Sequence, residues 1–256
     1  MGKESEGGGS KAIEVLFEND DVMVINKPSG LLVHRALTLE KRDGVQDTVA
    51  DWFLARVPSV AEVGETEQAE DGSPILRGGI VHRLDRETSG VMILAKHQDA
   101  FVHLKAQFHD RLAQKEYRAF VYGNLKEKWG TINRPIGRSS KDFRLRSAER
   151  GAKGNLRSAV TDWELLAQNE KYAYVRLLPK TGRTHQLRVH LKAIGRPIVG
   201  DQLYASPAFL KADDLGISRL ALHAYKLTIV LPGGREQEFT AELPLEFERA
   251  YQSIAG

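Results

Sequence analysis

A chain of 256 residues that is 41% hydrophobic can bury a substantial core, as one large domain or two small ones. Its 37 Lys and Arg against 34 Asp and Glu leave a net charge of +3, compatible with a nucleic-acid partner without requiring one. The lack of cysteine excludes disulfides, thiol catalysis and zinc–thiolate sites, and no apolar run approaches the ~20 residues that span a bilayer.

Residues 1–11, with Gly7-Gly8-Gly9-Ser10, are polar and have no apolar core, so they read as a disordered tail rather than a secretory signal, and a cytoplasmic compartment is expected. Ile13 to Phe17 and Val22 to Asn26 alternate as two strands around the turn Glu18-Asn19-Asp20-Asp21. Lys27-Pro28-Ser29-Gly30 is a further turn, and Leu31 to Val33 a short strand. Val45, Val49, Trp52 and Phe53 recur at helical spacing and predict a helix over Gln46 to Arg56. From Ser59 to Gly78 no period is present, which predicts a loop.

Gly79 to Gly90 is polar and leads into the apolar strand Val91-Met92-Ile93-Leu94-Ala95. It sets Asp85 between Arg83 and Arg86, a carboxylate at the mouth of a core, and the two cations favour its ionised form. An ordinary surface ion pair would leave the same pattern.

Phe101, Leu104, Phe108 and Leu112 mark a helix over Gln98 to Ala113, followed by a strand from Tyr117 to Tyr122. Tyr117 is either a half-buried strand aromatic or a platform on which a base stacks. Arg134 to Arg157 concentrates positive charge, Arg144 and Arg146 included, with only Asp142 and Glu149 against it. Strands follow over Leu156 to Leu166 and Tyr172 to Leu178, then a helix over Thr184 to Ala193 that Gly195 ends. The corner Gly182-Arg183-Thr184 before that helix suits a phosphate or carboxylate, or is a capped helix start with solvated arginines. Leu220 to Leu231 and Glu238 to Ala241 read as strands, and Leu245 to Ile254 as a terminal helix.

Strands dominate without regular βαβ alternation, which predicts an α+β fold with a largely antiparallel, mixed sheet and a few flanking helices. His185 and His190 are five apart and share no helical face, and no carboxylate stands at zinc-ligand spacing between them, so no metal site is expected. Phosphate-loop, dinucleotide and serine-hydrolase motifs are absent. His82, His97, His103, His109 and His223 receive no proton-transfer role.

Taken together, His82-Arg83-Leu84-Asp85 with Thr88-Ser89-Gly90, Val24 to Gly30, Lys115-Glu116-Tyr117, Gly182 to His190, Pro197 to Asp201 with Tyr204, and Leu220 to Ala224 resemble the RluA-type pseudouridine synthases, in order and spacing, from about Val15 to Phe247. The resemblance implies one catalytic domain over 12–256; many relatives carry a separate small N-terminal RNA-binding domain before it, which is not expected here because only about a dozen residues precede the first strand. It implies isomerisation of specific uridines in rRNA or tRNA, with no metal, no organic cofactor and no obligate protein partner. Asp85 resembles the catalytic aspartate, which attacks the nucleoside or removes the 2′ proton. Tyr117 resembles the tyrosine that stacks on the target uracil and is a candidate to help remove the C5 proton, and Arg183 the arginine paired with the aspartate. Arg83 resembles the residue that fills the gap left by the flipped nucleotide, and Leu222 stands as an apolar contact beside the base. With RNA as partner, Arg144 and Arg146 are expected to contact phosphates, the alternative being a solvated charged hairpin.

Overall fold

The computed structural model describes residues 12–34, 48–65, 67–68, 74–75, 77–140, 142, 145–149 and 152–255. Strands β1 (Glu14–Glu18) and β2 (Val22–Lys27) form the expected antiparallel hairpin. Asn19 closes it, its side-chain oxygen accepting the backbone N–H of Asp21 (3.0 Å) and Val22 (2.8 Å). Leu31 to Val33 is no strand of its own but contributes one parallel bridge, Leu32 to Thr48. Helix α1 (Val49–Arg56) starts later than Gln46, because Thr48 caps it in a capping box with Asp51.

The expected loop after α1 contains a 3-10 helix (Pro58–Glu62) and the short strands β3 (Glu67–Gln68) and β4 (Pro74–Ile75). Strand β5 (Ser89–Ala95) is buried along its whole length. Helix α2 (Gln98–His109) stops short of Ala113, where Arg111 turns the chain in the left-handed region at φ 64°. Strand β6 (Gln114–Tyr122) therefore begins ahead of Tyr117.

The remaining elements are β7 (Trp129–Asn133), β8 (Ile136–Arg138), β9 (Arg146–Ser147), β10 (Lys153–Arg157), β11 (Val160–Gln168), β12 (Tyr172–Pro179), α3 (Gln186–Ala193), α4 (Pro207–Leu210), β13 (Leu222–Val230), β14 (Glu236–Thr240) and α5 (Leu245–Ala255). The strand expected from Leu156 to Leu166 is two strands. Leu156 belongs to β10, and the chain changes sheet between Arg157 and Val160.

Among the described residues nine strands form one sheet, in the order β1-β2-β5-β13-β6-β12-β11-β7, with β14 beside the far half of β13. Every neighbouring pair is antiparallel except β5 and β13. The fold is thus α+β with a mixed, largely antiparallel sheet. A separate three-stranded sheet, β10-β8-β9, carries the described part of the basic segment.

Two apolar cores are built on the large sheet. One gathers Met23, Ile25, Ile93 and Leu94 under Phe53 of α1 and Leu104 of α2. The other gathers Phe120 and Leu177 with Leu191 of α3 and Phe247 of α5. Each of these buried side chains contributes roughly 1.5–3 kcal/mol of hydrophobic stabilisation. Tyr117 packs against both cores, so it stands on the seam between them.

Candidate active site

The loop carrying Asp85 is fastened from below by the turn after β2. Lys27 is fully buried, and its ammonium donates to the carbonyls of Pro28 (2.9 Å), Leu31 (2.8 Å) and Arg86 (3.0 Å). Arg86 Nε donates to Gly30 O (3.0 Å), Gly30 N–H donates back to Arg86 O (2.9 Å), and Ser29 Oγ donates to Glu87 O (2.7 Å). Every ammonium donor thus finds an acceptor, and the backbone beside Asp85 is tied to Lys27, Ser29 and Gly30 of this turn.

The Asp85 side chain is 21% exposed and faces Arg188, whose Nη1 donates to Oδ2 at 3.4 Å. Arg188 is itself anchored on the fully buried Asp201, through Nε to Oδ2 (2.8 Å) and Nη2 to Oδ1 (2.6 Å). The ring of Tyr204 lies 5.0 Å below the guanidinium. His185 caps α3 in the left-handed conformation, φ 56°, with Nε2 at 3.9 Å from Asp85 Oδ1 and Nδ1 at 2.7 Å from Tyr204 Oη. Burial, with Arg188 and Arg146 nearby, lowers the pKa of His185 against the opposing pull of Asp85.

The pairing expected between Arg183 and Asp85 is corrected here. Arg183 lies before the helix cap, and its Nε donates to Ser158 O at 3.2 Å. Arg188, one turn into the sequence motif and inside α3, is the guanidinium at Asp85. Arg188, Asp201, Tyr204 and Lys27 are the site residues that sequence reasoning left without a role, although all four lie within the motifs that drew attention.

Asp85, Tyr117, Arg183, Arg83 and Leu222 nonetheless line one cavity of about 480 Å³, together with His82, Phe108, Lys115 and Arg188. Tyr117 is half-buried, and burial together with the Asp85 charge pushes its phenol pKa upward, so it is neutral at neutral pH. Leu222 is a buried wall and Arg83 is exposed. His82 stacks on Phe108 (4.4 Å between centroids) and accepts Ile93 N–H at Nε2 (3.1 Å). Burial pulls its pKa down to about 3, which keeps the ring neutral. Arg146 lies on β9, outside the cavity lining, and its N–H donates to Tyr204 Oη at 3.0 Å. Arg144 lies outside the described residues. Among the described residues no three His, Asp or Glu side chains converge as metal ligands, and no helix is long and apolar enough to cross a membrane.

A cavity of this volume, with a carboxylate, a guanidinium and an aromatic face converging on it, has the make-up of an enzyme pocket for a base-sized ligand. A family model described as RNA pseudouridylate synthase matches residues 21–193. A Chloroflexus aurantiacus protein named as an uncharacterized RNA pseudouridine synthase is 42% identical over 224 residues, covering 87% of this chain and 63% of the relative. Ribosomal large subunit pseudouridine synthase D of Borreliella burgdorferi is 37% identical over 239 residues, covering 92% of this chain and 66% of the relative. The solved structure of human RNA pseudouridylate synthase domain containing 1 superposes with a TM-score of 0.71 at 26% identity, covering 94% of this chain and 87% of that one. The chain belongs to the RNA pseudouridylate synthase family, whose members are isomerases acting on RNA. It spans about two thirds of the length of the curated relatives it matches.

Proposed function

We propose that this protein converts specific uridines of ribosomal or transfer RNA to pseudouridine, with Asp85 as the nucleophile or base. The observation that carries the reading is the Asp85 carboxylate, held by the anchored guanidinium of Arg188 in a cavity that Tyr117 also lines. The ribosomal assignment draws support from the Borreliella burgdorferi relative, which is named for the large subunit.

Chemistry on a base requires the nucleotide to leave its stack, and stacking on Tyr117 offsets part of that cost. Exposed Arg83 fills the space the nucleotide vacates, and Leu222 closes the apolar side of the pocket. Asp85 attacks the nucleoside or removes the 2′ proton, and the C1′–N1 bond breaks. The uracil turns, and C5 joins C1′. Arg188 supplies positive charge beside Asp85 while Asp201 keeps it in position. Tyr117 acts as a neutral ring and not as a phenolate, since its proton is held tightly. Arg183 serves the cavity rim without touching Asp85, and Arg144 and Arg146 meet phosphates of the bound RNA.

The test is incubation of pure protein with ribosomal and transfer RNA, followed by mapping of pseudouridine. Wild type is expected to modify discrete uridines, and Asp85→Asn none. Equal product from both proteins removes Asp85 from its role, and no product from either on any RNA ends the proposal.

A further inference from the structure

Lys115 stands two residues before Tyr117 on β6, so both side chains leave the same face of the strand, about 7 Å apart along it. Both line the cavity. The ammonium lies against the Gly182 backbone, 3.8 Å from where a Cβ on that glycine would stand. Its charge also adds to the burial that keeps His82 neutral. Lys115 is half-buried, yet among the described residues its ammonium makes no hydrogen bond and no ion pair.

The other cations of the cavity are committed or outside its shelter. Arg188 is engaged by Asp201 and Asp85, and Arg183 by Ser158 O. Arg83 and Arg111 are exposed. Burial first, and Arg111 second, lower the pKa of Lys115 below the ordinary lysine value. An ammonium partly withdrawn from water, with no partner of its own, carries a desolvation cost that an anion in the cavity offsets.

The base becomes such an anion in the course of the proposed reaction. By either action of Asp85, breaking C1′–N1 leaves the bonding pair on the uracil, spread over N1, O2 and O4. The ring stays anionic until C5 bonds to C1′. C5 then loses its proton and N1 gains one, so atoms and electrons balance without oxidant or reductant. A uracil stacked on Tyr117 has Lys115 along the same strand face, at the edge of the ring. We propose that Lys115 is a catalytic residue whose ammonium is the counter-ion of the detached uracil. The proposal rests on the uridine-isomerising reading given above and deepens it.

Single-turnover pseudouridine formation at saturating enzyme, together with RNA affinity at several salt concentrations, separates the roles. Lys115→Met is expected to slow the saturated rate roughly 10²-fold, with the dissociation constant and its salt slope unchanged. Lys115→Arg is expected to recover at least about tenfold of that loss, because it restores the charge. A Lys115→Met protein that binds more weakly with a flatter salt slope, but keeps the wild-type saturated rate, makes Lys115 a phosphate anchor and overturns the proposal. So does a variant unchanged in both measurements. Lys115→Gln, read in the same way, carries the test where the Met variant fails to fold by urea titration. Wild type forming no pseudouridine is a separate outcome, which overturns the uridine-isomerising reading itself and with it this residue's part, whereas the variant results above overturn the part alone.

Discussion

Arg188 contacts two carboxylates, and the difference between the contacts assigns them different work. Asp201, fully buried, takes the guanidinium in a two-pronged bond at 2.6 and 2.8 Å, whereas Asp85 receives one bond at 3.4 Å and retains some exposure. The first contact fixes geometry. The second supplies charge and leaves the Asp85 oxygens available for chemistry. Arg188→Met is expected to abolish pseudouridine formation and to lower stability by roughly 3 kcal/mol in urea titration, since it leaves the buried Asp201 carboxylate without its cation, held only by the backbone N–H groups of Leu203 and Tyr204. Arg183→Ala is expected to keep product formation within about tenfold of wild type, because its guanidinium binds a carbonyl at the rim. Equal losses from the two substitutions contradict this division. Asp85 and Tyr117 were legible as a carboxylate at the mouth of an apolar strand and an aromatic opening another strand. Arg188 was not, because which arginine of Gly182 to His190 meets Asp85 depends on the phase of α3. That phase is set by His185 in a left-handed cap, a backbone conformation that a histidine codon position does not announce.

At the scale of elements, the site depends on how β5 and β13 meet. They pair in parallel only through Ser89 with His223 and Gly90 with Ala224, at the end of the loop that carries Asp85. Gly90 has φ +118°, and a Cβ there would overlap the carbonyl oxygen of Ala224. Gly90→Ala is therefore expected to cost about 3 kcal/mol or more in urea titration, from strain and overlap combined. The same crossing buries His223 completely, with Nδ1 2.9 Å from Ser89 Oγ and Nε2 3.1 Å from Ala241 O. Burial pulls its pKa from 6.5 to about 4. The unfolded chain then binds the proton at higher pH than the folded one, so this contribution to stability is complete above about pH 6.5 and declines as pH falls toward 4. Between pH 7 and 4.5 wild type is expected to lose about 2 kcal/mol more than His223→Gln, measured from urea midpoints at each pH. An identical loss in the two proteins refutes the assignment to His223. Apolar periodicity made the β1–β2 hairpin and helices α1, α2, α3 and α5 readable. Their boundaries moved where a cap decides them, at Thr48, Arg111 and His185. The β5–β13 pairing joins segments far apart in sequence, and nothing in either strand's local pattern names the other.

On the scale of the whole molecule, positive charge is gathered beside the cavity. The small sheet β10-β8-β9 rests on α3 and Tyr204 through Ile136, Ala148 and Ala159 against Val189. Every residue of β10 is exposed, including Lys153 and Arg157, and Arg138 of β8 is exposed with them. The contact of Arg146 N–H with Tyr204 Oη links this sheet to the residue beneath the Arg188 guanidinium. From sequence the segment was recognisable by charge, but its three short strands were not, because the change of sheet after Arg157 breaks an apolar pattern that runs on to Leu166. A substrate far larger than its target uridine has to be held outside a cavity of about 480 Å³, and exposed cations on a braced sheet next to the mouth suit a phosphate backbone. Each phosphate contact releases counterions, so log affinity falls with log salt by about 0.7–0.9 per contact. Replacing Arg146 and Lys153 together with alanine is expected to weaken RNA binding and to reduce the salt slope by about 1.5, while the saturated single-turnover rate stays near wild type. Neither side chain is part of the cavity lining, so a slope that does not move assigns these cations to solvation and sends the RNA across another face.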